Sequence, residues 1–211
     1  MKKILFLFCF ISQICLSQNT EHFSDSKTVI KPNRYKLNVS QKNNKDESIV
    51  SYELFKKTRE KWIKLQTGNF KKQANFGLYV STDEDLNNDG YNDVKISFAQ
   101  AGRGANEINK LLIFNPKTQK LIEIVNSQDY PNLHYNAKRN CVNSYSFSGG
   151  NSTYFLKINN NRLQEFARVE FYNDSVSSYK IKNKEEILLK KKPYESSDAA
   201  VFFSDYDPIE E

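Results

Sequence analysis

From Arg34 onward the chain alternates apolar and polar residues in short bursts separated by clusters of Asn, Asp, Gly and Lys. A period of two sends successive side chains to opposite faces of an extended chain, so each burst reads as a strand with one face buried. The bursts fall at residues 34–39, 49–55, 62–66, 77–81, 94–99, 111–114, 121–125, 144–147, 154–158, 163–172, 177–181 and 187–189. Asn115-Pro116-Lys117-Thr118 and Asn159-Asn160-Asn161 are turn signals, because Asn tolerates a left-handed backbone and Pro presets a turn corner. No stretch holds a 3.6-residue period for three turns. The pattern predicts an all-β fold, one antiparallel β-sandwich or incomplete barrel of about ten strands. This domain spans residues 33–195, between a polar leader at 18–32 and an acidic C-terminal tail at 196–211.

The long apolar run lies at the extreme N-terminus. Lys2 and Lys3 precede the apolar residues 4–11, and Cys15-Leu16-Ser17 forms a small-x-small cleavage site. Residues 1–17 therefore read as a signal peptide, which predicts export to the periplasm or beyond the cell. Lipidation at Cys15 is the alternative, although Ser12, Gln13 and Ile14 are not a Leu followed by two small residues. The run is too short to cross a bilayer, so no transmembrane segment is expected in the mature chain. Cleavage removes Cys9 and Cys15 and leaves Cys141 alone, so no internal disulfide can form and a buried structural thiol is expected.

Composition narrows the function classes only a little. The 211 residues carry 31 Lys and Arg against 25 Asp and Glu, a formal charge of +6 that falls to +4 once Lys2 and Lys3 leave. Lysine outnumbers arginine, and the nearest approach to a basic stripe, Lys180, Lys182, Lys184 and Lys190 to Lys192, is interrupted by Glu185 and Glu186. Phosphate recognition favours arginine forks on a continuous face, so a nucleic-acid partner is not expected. Abundant asparagine reads as compositional drift. Glu84, Glu107, Glu123 and Glu165 are scattered acids that form no matched pair for glycoside chemistry, and His22 and His134 are isolated. The chain reads as a binding protein, not an enzyme.

One motif carries chemistry. Asp85-Leu86-Asn87-Asn88-Asp89-Gly90-Tyr91-Asn92-Asp93 sets oxygen-bearing side chains at positions 1, 3, 5 and 9, with glycine at position 6 where a chain wrapping an ion must turn. Asp85, Asn87, Asp89, the Tyr91 carbonyl and Asp93 are the candidate ligands, and an all-oxygen set predicts Ca2+. Ile96 stands at position 12, where an EF-hand needs a bidentate glutamate, and both flanks are strand-like. The loop is thus expected to hold calcium between strands, in a structural role.

From that loop onward the ordered features resemble the periplasmic lysozyme-inhibitor-like family, which includes inhibitors of invertebrate-type lysozymes and immunity proteins against lysozyme-like toxins. The matching pieces are residues 85–93, the strand and turn at 111–118, the segment Tyr130-Pro131-Asn132-Leu133-His134-Tyr135-Asn136, and Ser148-Gly149-Gly150 followed by Tyr154. The resemblance implies a rigid loop bearing Ser-Gly and a nearby tyrosine that plugs a glycosidase cleft. Ser148, Gly149, Gly150 and Tyr154 would then bind a lysozyme-like hydrolase. The family spaces this motif Ser-Gly-x-x-Tyr, whereas four residues separate Gly149 from Tyr154 here. A calcium-dependent adhesion or assembly module of the cell surface, and an unrecognised carbohydrate-active enzyme, are the other open readings.

Overall fold

The computed structural model describes residues 20–206 except 75, 184, 197 and 199; the expected signal peptide at 1–17 lies outside the described residues. The fold is all-β. β1 (Thr20–Asp25), β2 (Tyr35–Asn43), β3 (Glu47–Thr58) and β4 (Lys61–Gln73) form an antiparallel meander. A second meander contains β5 (Val80–Ser81), β6 (Val94–Ala101), β7 (Asn106–Asn115) and β8 (Lys120–Glu123). The third contains β9 (Leu133–Asn136), β10 (Cys141–Phe147), β11 (Asn151–Asn159), β12 (Arg162–Tyr172), β13 (Ser175–Lys182) and β14 (Glu185–Pro193). Among the described residues no sheet closes into a barrel.

The three sheets stack because β7 is apolar on both faces. Leu111, Leu112, Ile113 and Phe114 run consecutively and all four are buried. Leu112 and Phe114 join Leu37, Val39, Val50 and Leu54 of the first sheet in one core. Leu111 and Ile113, pointing the other way, join Leu133, Val142, Leu156 and Leu163 of the third sheet in another. The second sheet is therefore the middle layer. The third sheet is again apolar on its far face, where Phe155, Val169 and Val176 receive Phe203 from the C-terminal segment.

Two stretches that read as peripheral belong to this core. The polar leader contains β1, which pairs antiparallel with β2, and Val29 and Ile30 beyond it are buried among the first and second sheets. Its alternation, Thr20 to Asp25, is weak because β1 is an edge strand with a mostly solvated face. The acidic tail likewise folds back as far as it is described. Phe202 packs against Tyr145 and, edge to face, against Phe147, with centroids 4.5 and 4.9 Å away, and the buried Asp205 carboxylate accepts from Arg139 Nε at 2.8 Å. Cys141 is buried in the outer core, where burial pushes its thiol up.

The corners follow turn chemistry. Asn160-Asn161 and Asn173-Asp174 each close a two-residue hairpin with both residues left-handed, the geometry that matches strand twist. Among the described residues, eight of the thirteen non-glycine positions with positive φ are asparagine. Ile30 is a costlier case: a β-branched residue at φ 58° is strained, and its burial, with its carbonyl accepting from Asn92 N at 3.1 Å, holds it there.

Lys72, on β4, is only 3% exposed. Its Nζ donates to the Gly77 and Ser97 carbonyls at 2.8 and 3.2 Å and to Ser97 Oγ at 3.1 Å. Burial pushes the ammonium from its ordinary 10.5 down to about 8, with the Glu21 carboxylate working against that shift. Between those two values the unfolded chain holds a proton that the folded protein lacks, so this group makes stability rise with pH across the window. Chemical denaturation of wild type and Lys72→Met from pH 7 to 10.5 should show that rise as a difference between the two; parallel curves would refute it.

Candidate functional site

Two features from the sequence take definite positions: the acidic loop between β5 and β6, and the hairpin tip between β10 and β11.

The acidic loop curls on its own side chains. Asp85 accepts from the Asp89 and Gly90 amides at 3.1 and 2.7 Å, Asn87 Oδ1 from Asp89 N at 3.1 Å, and Asp89 Oδ1 from Tyr91 N at 2.9 Å. Gly90 is left-handed at φ 82°, as the turn at position 6 requires. Leu86 drops into the inner core while Asp85 stays half-buried and Asp89 exposed, so the alternation of the loop divides anchors from acids. The Tyr91 ring packs on Phe114 at 5.3 Å, and Asn92 donates Nδ2 to the Thr28 carbonyl at 2.8 Å.

Asp93 differs from the other acids. It is buried, and its two oxygens accept the Leu86 and Phe114 amides at 2.9 and 3.0 Å. The Phe114 amide lies beyond the Val94–Leu112 pair at which the β6–β7 ladder begins, so the carboxylate replaces a missing strand partner. Burial raises its pKa to about 7; the two amides oppose that rise, and the Asp89 and Asp85 charges add to it. Tested against a hard divalent cation, Asp85, Asn87, Asp89 and the Tyr91 carbonyl bring suitable oxygens to one loop, and the charge crowding is what a cation relieves. Asp93 is committed to the backbone on both oxygens. Among the described residues no group of three His, Cys, Asp or Glu is gathered closely enough to hold an ion as it stands.

The second feature is an open groove of about 860 Å³ at one end of the stack. Three turns meet there: Gly102–Gly104, residues 148–150, and Asn173-Asp174. Ser148 and Gly149 are exposed, Ser148 N donates to the Gly150 carbonyl at 3.0 Å, and nothing lies within 4 Å of where a Gly149 Cβ would stand. The tip has a firm base. Asn106 behaves as a detached strand residue, giving Nδ2 to the Phe147 carbonyl at 2.8 Å and taking the Phe147 amide at 2.9 Å. Asn132 ties the same region from its other side, donating to the Ala105 and Tyr145 carbonyls at 2.9 and 2.8 Å.

Tyr154 is not at this tip. It sits three residues along β11 from Asn151, about 10 Å away by strand rise, and its ring packs on Tyr130 at 5.8 Å beneath the Arg168 guanidinium. The aromatic that accompanies the tip is Tyr172, which is 61% exposed and whose Cδ2 would come within 3.0 Å of a Cβ on Gly150. Arg103, at φ 55° on the adjoining turn, is exposed on the rim of the same groove. Sequence spacing missed both residues, since neither lies on the segment carrying Ser148.

The scattered acids are each engaged. Glu84 pairs with Lys95 at 2.8 Å and takes the Tyr135 amide at 2.6 Å, Glu123 pairs with Lys110, Glu107 accepts from Asn109 at 3.2 Å, and Glu165 pairs with Arg168 at 3.0 Å. Among the described residues no helix is long and apolar enough to cross a membrane.

No protein-family model matches the chain, and no curated protein matches it. Among solved structures it is similar to a Xanthomonas type IV secretion system related protein, with a TM-score of 0.53 and 14% identity over 80% of this chain and 93% of that one. At that identity the likeness is one of fold.

The loop geometry separates two kinds of acid. Asp93→Ala orphans two buried amides and should cost about 2–4 kcal/mol whether calcium or chelator is present. Asp89→Asn should leave stability in chelator within about 0.5 kcal/mol of wild type. Denaturant titrations in both buffers check the pair, and equal losses would show that the two acids share one role.

Proposed function

We propose that this chain is an exported, calcium-stabilised binding protein that inhibits a lysozyme-like cell-wall hydrolase. The observation carrying the reading is the groove-end tip, where Ser148 and Gly149 stand clear of the body on a base stitched by Asn106 and Asn132, with Tyr172 beside them. A glycosidase cleft is built to hydrogen-bond and stack sugars. A hydroxyl, bare backbone and a planar ring on a rigid projection match those two demands, and rigidity lowers the entropy lost on docking.

The resemblance of residues 85–93, 111–118, 130–136 and 148–150 followed by Tyr154 to the lysozyme-inhibitor-like family supports the same partner class. The fold shared with a type IV secretion system related protein is compatible with work in an exported compartment. In this reading Tyr172 takes the part that linear spacing gives to Tyr154. The engaged states of Glu84, Glu107, Glu123 and Glu165 favour binding over catalysis. Calcium would sit on Asp85, Asn87, Asp89 and the Tyr91 carbonyl and neutralise the charge beside Asp93, fixing the loop against the first and second sheets.

Binding calcium to the folded state alone stabilises it by about 2.7 kcal/mol at a hundredfold excess over the dissociation constant. Melting of metal-free protein should rise on adding calcium and lose that response in Asp89→Asn; indifference of the wild type removes the ion.

Inhibition is read with Ser148→Ala, Tyr172→Ala and Tyr154→Ala against a panel of lysozyme-like hydrolases. Tyr172→Ala should weaken inhibition about thirtyfold, the loss expected for an interface anchor, with an unchanged melt. Tyr154→Ala should lower the melting temperature. Failure of the wild type to inhibit any member overturns the inhibitor reading in favour of an adhesion or assembly module.

A further inference from the structure

The six-stranded sheet ends on β14, whose outer edge meets no other strand among the described residues. Edge strands present unpaired amides and carbonyls, and proteins commonly keep them short, bulged or charged. β14 is nine residues long and carries Ile187, Leu188 and Leu189, exposed by 44%, 53% and 47%. Among the described residues these are three of seven exposed large apolar side chains, and they are consecutive. On one side stand Glu185 and Glu186, and on the other Lys190, Lys191 and Lys192.

This order of acid, apolar and base is complementary to itself when read backwards. Two antiparallel copies centred on Leu188 place Leu188 against Leu188, Ile187 against Leu189, Glu186 against Lys190 and Glu185 against Lys191. Register shifts opposite Ser178 and Tyr179, leaving Leu189 as an extra residue in β14. Centring the pair between Leu188 and Leu189 to allow for it sets Glu186 against Lys191 and Glu185 against Lys192, so acids still meet lysines. A parallel pairing in register would oppose like charges, which is unfavourable.

We infer that β14 is the self-association edge of this protein, joining two copies antiparallel about a twofold axis into one continuous sheet. The occupant is a second copy because the charge pattern of the strand is its own complement, and a twofold interface requires that kind of patch. The contact is independent of the groove, which lies at the turns of the stack. A single strand pair is small, so the dimer is a weak one that forms in the micromolar range.

The experiment is sedimentation velocity of the mature protein from about 1 μM to about 500 μM, joined to amide exchange. Wild type should shift from monomer to dimer as concentration rises, and exchange at residues 187–191 should slow in step. Leu188→Lys should remain monomeric with an unchanged melt. With the pair centred on Leu188, Glu185→Lys and Lys191→Glu should each weaken association about tenfold, since each pair occurs twice, while an equimolar mixture of the two should regain it; with the centre between Leu188 and Leu189, the mixture that regains it is Glu185→Lys with Lys192→Glu. A wild type that stays monomeric throughout overturns the inference. So does a dimer that persists in Leu188→Lys, or one whose β14 amides exchange at the monomer rate.

Discussion

Over residues 111–114, β7 has no solvent side. Four consecutive apolar residues on an extended chain point alternately up and down, and each face must find its own cover. The first sheet covers Leu112 and Phe114, and the third covers Leu111 and Ile113. A two-layer sandwich cannot satisfy such a strand, and the three-layer stack follows from it. The same demand recurs one layer out, where Phe155 and Val169 need the C-terminal segment with Phe203 over them. Burial on both faces thus propagates outward from the middle layer to the C-terminal segment, which covers the far face of the third sheet.

Stacking leaves an accounting problem at the ends of the middle sheet. β6 and β8 are shorter than β7, so some β7 amides face the interior without a strand beside them. Asp93 takes the Phe114 amide, and Ser127 Oγ takes the Leu111 amide at 3.1 Å. Because Asp93 is both this surrogate and the ninth residue of the acidic loop, the loop is drawn onto the middle layer and its other acids are crowded at the surface. Lacing between sheets is done in the same way by Asn106, Asn132 and Asn126, the last exchanging bonds with Leu163 N and O at 2.8 and 2.9 Å. Such an amide offers a donor and an acceptor at the spacing of a peptide group, so it can stand in for a strand residue.

Much of this is legible in the chain. The period-two bursts locate most of β2 to β8 and β10 to β14, and the Asn160-Asn161 corner marks a hairpin. β1 and β9 escape, one because its alternation is faint at an exposed edge and the other because Leu133 to Asn136 is too short to show a period. The apolar run at 111–114 holds the clue to three layers, yet a run of four cannot by itself distinguish a doubly buried strand from a dense single face. Asparagine read as drift turns out to fill left-handed corners and to tie sheets together, roles that need a partner strand before they can be seen.

The tip shows why spacing along the chain misplaces a ring. In an antiparallel sheet a residue's neighbours are the ones opposite it in register, whatever their distance in sequence. Asn151, at the foot of the tip, faces Phe171 across the β11–β12 ladder, so the next residue outward on β12 is Tyr172. Moving from Gly149 to Tyr154 along the chain instead climbs back into the sheet, where the ring is claimed by Tyr130 and Arg168. A tyrosine in register on the neighbouring hairpin also has an advantage over one on the same turn. Its backbone is fixed by a separate ladder, so the Tyr172 ring and the Ser148 hydroxyl are carried by two independent supports.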